Sequence, residues 1–396
     1  MSELIYLVAG ETSGDILGAR LMAALRKQAP EVSFAGVGGV RMAEQGLDSL
    51  FPMDELSLMG LAEVLPHLPR LLGRLRQTAD DIARRRPAAV VTIDAPGFNK
   101  RLLKRLKPPL PARIHYVAPQ HWGWRPSRAK KLPGLFDDML CLLPFEPAFF
   151  EAYGVRGTFV GHPVVEEPPH PPDGAIIRER LGLEGVAPLL AVLPGSRRGE
   201  IDKLAPVLEE ALGAIVQRHA NAQAIVPVVP ARAQLVREAT ASWPLPVTIF
   251  EDRPARFDAF AACDLAIHAS GTVALELALA HVPCITIYKV NALTAAIVRR
   301  VIQVDHANLV NIIEKRVVVP ELIQEDCTPQ RIADQALALL ADPTARERQS
   351  AGMARVMRTL GQGDPDTPSD RAAAVVLARM RRANAAQPAQ DGSAQQ

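Results

Sequence analysis

PLLAVLPGSRRGEIDKL, residues 188–204, is the stretch whose reading decides the architecture. Pro188–Leu193 has the length and apolar character of a buried strand, LPGSR supplies a glycine turn, and Lys203–His219 continues as an amphipathic stretch. Strand, glycine turn and helix in that order open a parallel α/β unit. The chain has already made this opening once, with LIYLVA at Leu4–Ala9, GETSGD at Gly10–Asp15 and an amphipathic stretch at Asp15–Gln28. The rhythm runs on through Ala88–Ile93, Lys100–Leu106, Arg113–Val117 and Asp138–Leu142. After the restart it resumes with Ala224–Val229, Val247–Phe250, Leu265–His268, Val273–Ala280 and Cys284–Tyr288. Two parallel sheets, each covered by helices, follow from that alternation. The length of 396 residues agrees, since single cores stop growing at roughly 250–300 residues.

Between the two rhythms lies the proline-rich stretch Glu166–Gly174, read as the linker. The expected domains are therefore residues 1–165 and 175–344. Helices from about 345 to 382 are expected to pack back on the first domain or on a partner subunit. The Ala/Gln-rich stretch 383–396 is expected to be a disordered tail. With 45 basic against 43 acidic residues the net charge is only +2, which argues against a nucleic-acid partner. Cys141, Cys263, Cys284 and Cys327 show no metal-ligand spacing and read as reduced core residues, so no metal and no cofactor are expected. The start at Met1 shows no basic leader with a cleavage site, so a cytoplasmic location is expected. No apolar run approaches the ~20 residues of a spanning helix, so any membrane contact is expected to be peripheral.

Two turns in the second half suit a nucleotide diphosphate. Gly195, Ser196 and Arg197 lie between strand and helix, where free backbone N–H groups and a bidentate guanidinium favour phosphate. An ordinary capped helix start with solvent-exposed arginines fits the same spacing. In ASGTVALE, Ser270, Gly271 and Thr272 open the next helix, and Glu276 one turn on can accept both hydroxyls of a ribose. Ser270 and Thr272 serve equally as helix caps.

The first half carries different chemistry. GETSGD lacks the lysine and glycine spacing of a P-loop, and Glu11 and Asp15 would repel phosphate, so it reads as a holder of sugar hydroxyls. GVGG at Gly36–Gly39 does not match a dinucleotide fingerprint. Asp94 ends a buried strand and is the candidate general base, or else a turn cap beside Pro96. Trp122, Trp124 and Arg125 follow another strand; they either close the core or line a cleft for a sugar phosphate. Leu61, Leu65, Leu68, Leu72 and Leu75 form an apolar stripe among arginines, with the helix expected to begin at Pro66 or Pro69. Such a stripe is either core-facing or laid on an anionic membrane.

GETSGD, IDAPGFN (Ile93–Asn99), HYVAPQHWGWR (His115–Arg125), LPFE (Leu143–Glu146), GHP (Gly161–Pro163), LPGSR, ASGTVALE and VPELIQ (Val319–Gln324) stand in the order in which lipid-A-disaccharide synthases carry their motifs. The chain resembles that family over nearly its whole length. The resemblance implies a GT-B fold, with two Rossmann-like domains whose sheets face an interdomain cleft. It implies that UDP is held by Gly195, Ser196, Arg197, Ser270, Gly271, Thr272, Glu276 and Asn311, with the acceptor at Glu11, Ser13, Gly14, Asn99, Trp122 and Arg125. Asp94 would act as the base, and Leu61, Leu65, Leu68 and Leu72 as membrane or acyl contacts. The implied reaction joins UDP-2,3-diacylglucosamine to 2,3-diacylglucosamine 1-phosphate (lipid X) without a metal. It would proceed on the cytoplasmic face of the inner membrane, in a homodimer that exchanges C-terminal segments. Gly97 stands where the family commonly has a second aspartate, Val310 where it has a proline before Asn311, and QHWGWR where SVWAWR is more usual. Two other functions fit the fold: a UDP-sugar epimerase or hydrolase, and a non-catalytic nucleotide-sugar binder.

Overall fold

The computed structural model describes residues 3–56, 61–168, 170–183, 188–252, 255–269, 271–291 and 304–386, with the backbone alone for 61–66, 231 and 384–386. Packing gathers the chain into two compact units, one of residues 1–163 with the stretch from 364 onward, the other of residues 164–363.

The first unit is built on strands β1 (Leu4–Ala9), β2 (Ser33–Val37), β3 (Ala89–Ile93), β4 (Ala112–Tyr116), β5 (Asp138–Cys141) and β6 (Gly157–Phe159). They form one parallel sheet in the order β2-β1-β3-β4-β5-β6. Because the chain leaves β1 toward β2 and returns on the other side at β3, the order reverses between β1 and β3, where open α/β sheets leave a crevice for ligands. Ala9 pairs with Ile93 in that register, so Gly10 and Asp94 leave the sheet side by side. Gly10 must be a glycine there, since a Cβ would lie 2.8 Å from the Cβ of Ala95.

The helix Thr12–Gln28 buries Leu17, Leu21 and Leu25, one turn apart, against this sheet. The last described helix, Pro368–Ala386, inserts Ala373, Val376 and Met380 into the same core. It is tied there by Lys27 to Asp370 at 3.2 Å and by Arg379 Nε to the buried Asp138 at 2.9 Å. This helix includes Ala383–Ala386, where the composition suggests disorder; docking of its apolar face outweighs the weak local signal. The preceding helix, Pro343–Thr359, belongs instead to the second unit, where Gln349 receives from Cys284 N (3.2 Å) and donates to Cys284 O (2.7 Å).

The second unit holds β7 (Leu189–Leu193), β8 (Gln223–Pro227), β9 (Val247–Phe250), β10 (Leu265–Ala269), β11 (Cys284–Tyr288) and β12 (Glu321–Ile323), in the parallel order β12-β11-β10-β7-β8-β9. Its reversal falls between β7 and β10, whose carboxyl ends release LPGSR and ASGT respectively. The proline-rich stretch after residue 165 is not a free linker. Glu167 pairs with Arg256 at 2.6 Å, Asp173 N donates to Asp258 at 2.8 Å, and the Asp173 side chain caps the helix Gly174–Arg180.

The arginine-flanked helix runs from Leu61 to Arg85, so Pro66 and Pro69 lie inside it rather than at its start; a helix can absorb a proline at the loss of one backbone hydrogen bond. Its leucines divide. Leu75 is in the core, whereas Leu68 and Leu72 are exposed, and the Leu61 and Leu65 side chains lie outside the described residues. Several of its arginines are already paired. Arg74 Nε donates to Glu55 at 2.8 Å with its guanidinium over Phe51, and Arg84 and Arg85 both meet the buried Asp81. Among the described residues no helix is long and apolar enough to cross a membrane.

Candidate functional site

The crevice of the second sheet is a cavity of about 420 Å³. Gly195, Ser196 and Arg197 line it from β7, Gly271, Thr272 and Glu276 from β10, and Val226–Val229 with Phe250 form an apolar wall. Two loops separated by some seventy residues of sequence thus face one space, because adjacent parallel strands end at the same edge. Ser270 lies outside the described residues. Thr272 makes no side-chain capping bond, so capping does not account for it. Gly195 (φ 119°) and Gly271 (φ 151°) have backbone angles that L side chains rarely adopt.

One expectation about this loop needs correction: its N–H groups are not free. Glu200 Oε2 accepts from Ser196 N at 3.0 Å and Arg197 N at 3.3 Å, and Oε1 lies 3.3 Å from Arg197 NH1. A carboxylate of the chain itself occupies the donors that a phosphate would use, the expected behaviour of a helix start that attracts anions.

Glu276 is held as well. Arg256 Nε stands 3.3 Å from Glu276 Oε2, an ion-pair contact without hydrogen-bond geometry, while the other side of the guanidinium pairs with Glu167 and its face lies over Phe257 at 4.9 Å. Arg256 lines the cavity and no motif marks it; only the fold brings EDRPAR beside ASGTVALE. Asn311 takes no part in the cavity lining. It is fully buried, donates to Val319 O (2.7 Å) and Glu321 (2.7 Å), and accepts from Val318 N (2.8 Å) and Val319 N (2.9 Å). With its amide engaged on both sides it braces the turn before VPELIQ.

In the first unit, Asp94 and Ala95 take the left-handed conformation (φ 47° and 42°), a strained geometry for residues other than glycine and one that clusters at functional sites. Burial raises the Asp94 carboxyl above the ordinary carboxylate range, and Glu11 is raised by burial and by the charge of Asp94. Two carboxylates therefore share the crevice between β1 and β3. Ser13 is exposed at the start of the adjoining helix. Gly14 is buried, and a Cβ there would meet Ala9 and Ile93, so it packs the helix on the sheet. Asp15 is committed to the next helix start, accepting from Gly39 N (2.9 Å), Arg41 N (2.9 Å) and Met42 N (3.0 Å). That accounts for GVGG too, since at Gly36 a Cβ would fall 1.8 Å from Leu7 O.

Asn99 supports this strand end through its amide nitrogen. Fully buried, it donates to Asp94 O at 2.7 Å and so fixes the strained strand end from behind. Trp122 uses its indole N–H on Glu146 at 3.0 Å, and Glu146 further accepts from Leu142 N and Leu143 N; burial pushes the Glu146 carboxyl up to about 7. LPFE is thus a brace for the tryptophan loop. Arg125 is exposed and lies 4.8 Å over Trp124. Lys100, which closes IDAPGFNK and had no assigned role, reaches His121 Nε2 at 3.3 Å.

Two parallel α/β units, each with its functional loops at the strand-order reversal, define the GT-B class of nucleotide-sugar enzymes. Solved structures share the fold: Acinetobacter baumannii MurG (TM-score 0.53, 14% identity, 95% of this chain and 99% of that one) and a UDP-GlcNAc 2-epimerase from Neisseria meningitidis bound to UDP-GlcNAc (0.59, 9%, 96% and 100%). Within that class, the family model described as lipid-A-disaccharide synthetase matches residues 5–375. The lipid-A-disaccharide synthase of Rhodospirillum centenum is 53% identical over 94% of both chains, and that of Gluconobacter oxydans is 45% identical over 94% of this chain and 90% of its own. The chain belongs to the lipid-A-disaccharide synthase family of glycosyltransferases.

Proposed function

We propose that the chain transfers an acylated glucosamine from UDP-2,3-diacylglucosamine to the 6-hydroxyl of 2,3-diacylglucosamine 1-phosphate (lipid X), with inversion at the anomeric carbon. Asp94 takes the proton of the acceptor hydroxyl as its oxygen attacks; the bond to UDP breaks and the diphosphate leaves with the electron pair. A carboxyl raised by burial is a stronger base than an exposed one, which suits that task. In the second unit the diphosphate takes the place of Glu200 on Ser196 N and Arg197 N, Arg197 offsets its charge, and Glu276 accepts the ribose hydroxyls. The single observation that carries this reading is the convergence of both glycine loops on one cavity.

Exposed Leu68 and Leu72 are the part of the stripe offered to acyl chains or to the cytoplasmic face of the inner membrane. A homodimer with exchanged C-terminal segments belongs to the same proposal. Both substrates supplied together should yield disaccharide 1-phosphate and UDP, while the donor alone stays intact. Consumption of the donor without acceptor would favour an epimerase or hydrolase, and UDP binding without transfer a non-catalytic binder.

A further inference from the structure

The chain as a whole carries a net charge of only +2, yet between Asp94 and Asp137 it has ten lysines and arginines and no carboxylate. Arg113 is neutralised by Asp137, which it meets at 2.8 Å. Lys100, Arg125 and Arg128 have no such partner among the described residues. Arg125 and Arg128 both lie on the ring of Trp124, at 4.8 and 5.2 Å from its centroid, an arrangement that steadies two guanidiniums without cancelling their charge. Lys100 is half-buried, and among the described residues its ammonium meets the imidazole of His121. Burial together with Lys100 and Arg128 pushes His121 down to about 4, so that ring is neutral and an acceptor. Lys100 in turn is lowered by burial and by the charges of Arg128 and Lys104.

Holding like charges together with one of them partly desolvated is unfavourable unless an anion completes the group. Guanidiniums are matched to phosphate oxygens in a way that suits a dianionic monoester. Lys100 sits about 6 Å along its helix from Pro96, on the element that follows the Asp94 strand end.

We propose that Lys100, Arg125 and Arg128, gathered on His121 and Trp124, bind the phosphate monoester of the acceptor sugar. The inference rests on the transferase reading above and adds the residues that select a phosphorylated acceptor.

The test compares binding of 2,3-diacylglucosamine 1-phosphate with binding of the same sugar lacking phosphate, by calorimetry in neutral detergent with the full chain. The wild type is expected to prefer the phosphorylated sugar by at least about tenfold, the scale of one or more charge-assisted hydrogen bonds. In Lys100→Gln and Arg128→Gln that preference should fall to within threefold, with Lys100→Arg retaining more of it than Lys100→Gln. Arg128 is exposed, so its variant reports even if Lys100→Gln melts early. A wild-type ratio near one, a preference undiminished in both variants, or equal losses for both sugars would overturn the assignment. So would variants that keep the preference in micelles but lose adsorption to vesicles containing anionic lipid, since the cluster would then serve the membrane surface. A parallel transfer assay separates the two claims: absence of any disaccharide from the wild type refutes the transferase reading, whatever the binding ratio.

Discussion

Replacing Glu200 by glutamine should tighten UDP binding. The Glu200 carboxylate accepts from Ser196 N and Arg197 N at 3.0 and 3.3 Å, so an arriving diphosphate gains only the difference between two anionic acceptors. A hydrogen bond to a charged group contributes about 1.5–3 kcal/mol and a neutral one about 0.5–1.5. Exchanging the carboxylate for an amide therefore weakens the competitor by about 1 kcal/mol per bond, or about 2 kcal/mol for the pair. The accompanying ion pair to Arg197 adds little, because Arg197 is 75% exposed and such pairs contribute about 0–1 kcal/mol. At about 1.4 kcal/mol per factor of ten, UDP should bind roughly five- to thirtyfold more tightly, while uridine, which lacks the diphosphate, should change less than twofold. Calorimetry with both ligands, alongside a melting curve, measures this. Unchanged or weaker UDP binding at an unchanged melting temperature would refute the idea that Glu200 competes with phosphate.

Asp94→Asn should lower kcat by about two to four orders of magnitude, the usual contribution of a general base, with UDP affinity retained. The wild-type rate should fall with decreasing pH as the carboxylate is protonated, at a pH above that of an ordinary aspartate because burial raises it, and the variant should lose that limb. Arg256→Gln releases Glu276 from its ion pair, and the preference for UDP over 2′-deoxy-UDP, read as a ratio of Kd values, should shrink several-fold; a full wild-type ratio would separate Arg256 from the ribose contact. Leu75→Ala should cost about 2–5 kcal/mol of stability, as core truncations do, whereas Leu68→Ser with Leu72→Ser should leave the melting temperature within a few degrees and release the protein from vesicles. Loss of cooperative melting in the double variant would show that those leucines hold the core.

The fold was legible because parallel strands buried on both faces read as continuous apolar runs, and glycine turns mark where each ends; β7 with LPGSR and β10 with ASGT needed nothing more. The site was legible only where a loop leaves a strand end. Motif position does not say which way a side chain faces: Gly14, Asn99 and Asn311 stand in motifs, yet each is buried and supports a neighbouring segment. Arg256 escaped notice for the converse reason, since it lies on the helix before β10 and reaches Glu276 only through the fold. The seat of Glu200 on this loop was hidden too, because a glutamate in the first turn of a helix looks like an ordinary cap until the N–H groups that donate to it are counted.

A structure of the chain crystallised with UDP tests the central claim most directly. The account places the diphosphate on Ser196 N and Arg197 N with Glu200 displaced, and the ribose against Glu276, all within the cavity of the second unit. UDP bound elsewhere, or bound in that cavity with Glu200 still seated on the loop, would contradict it.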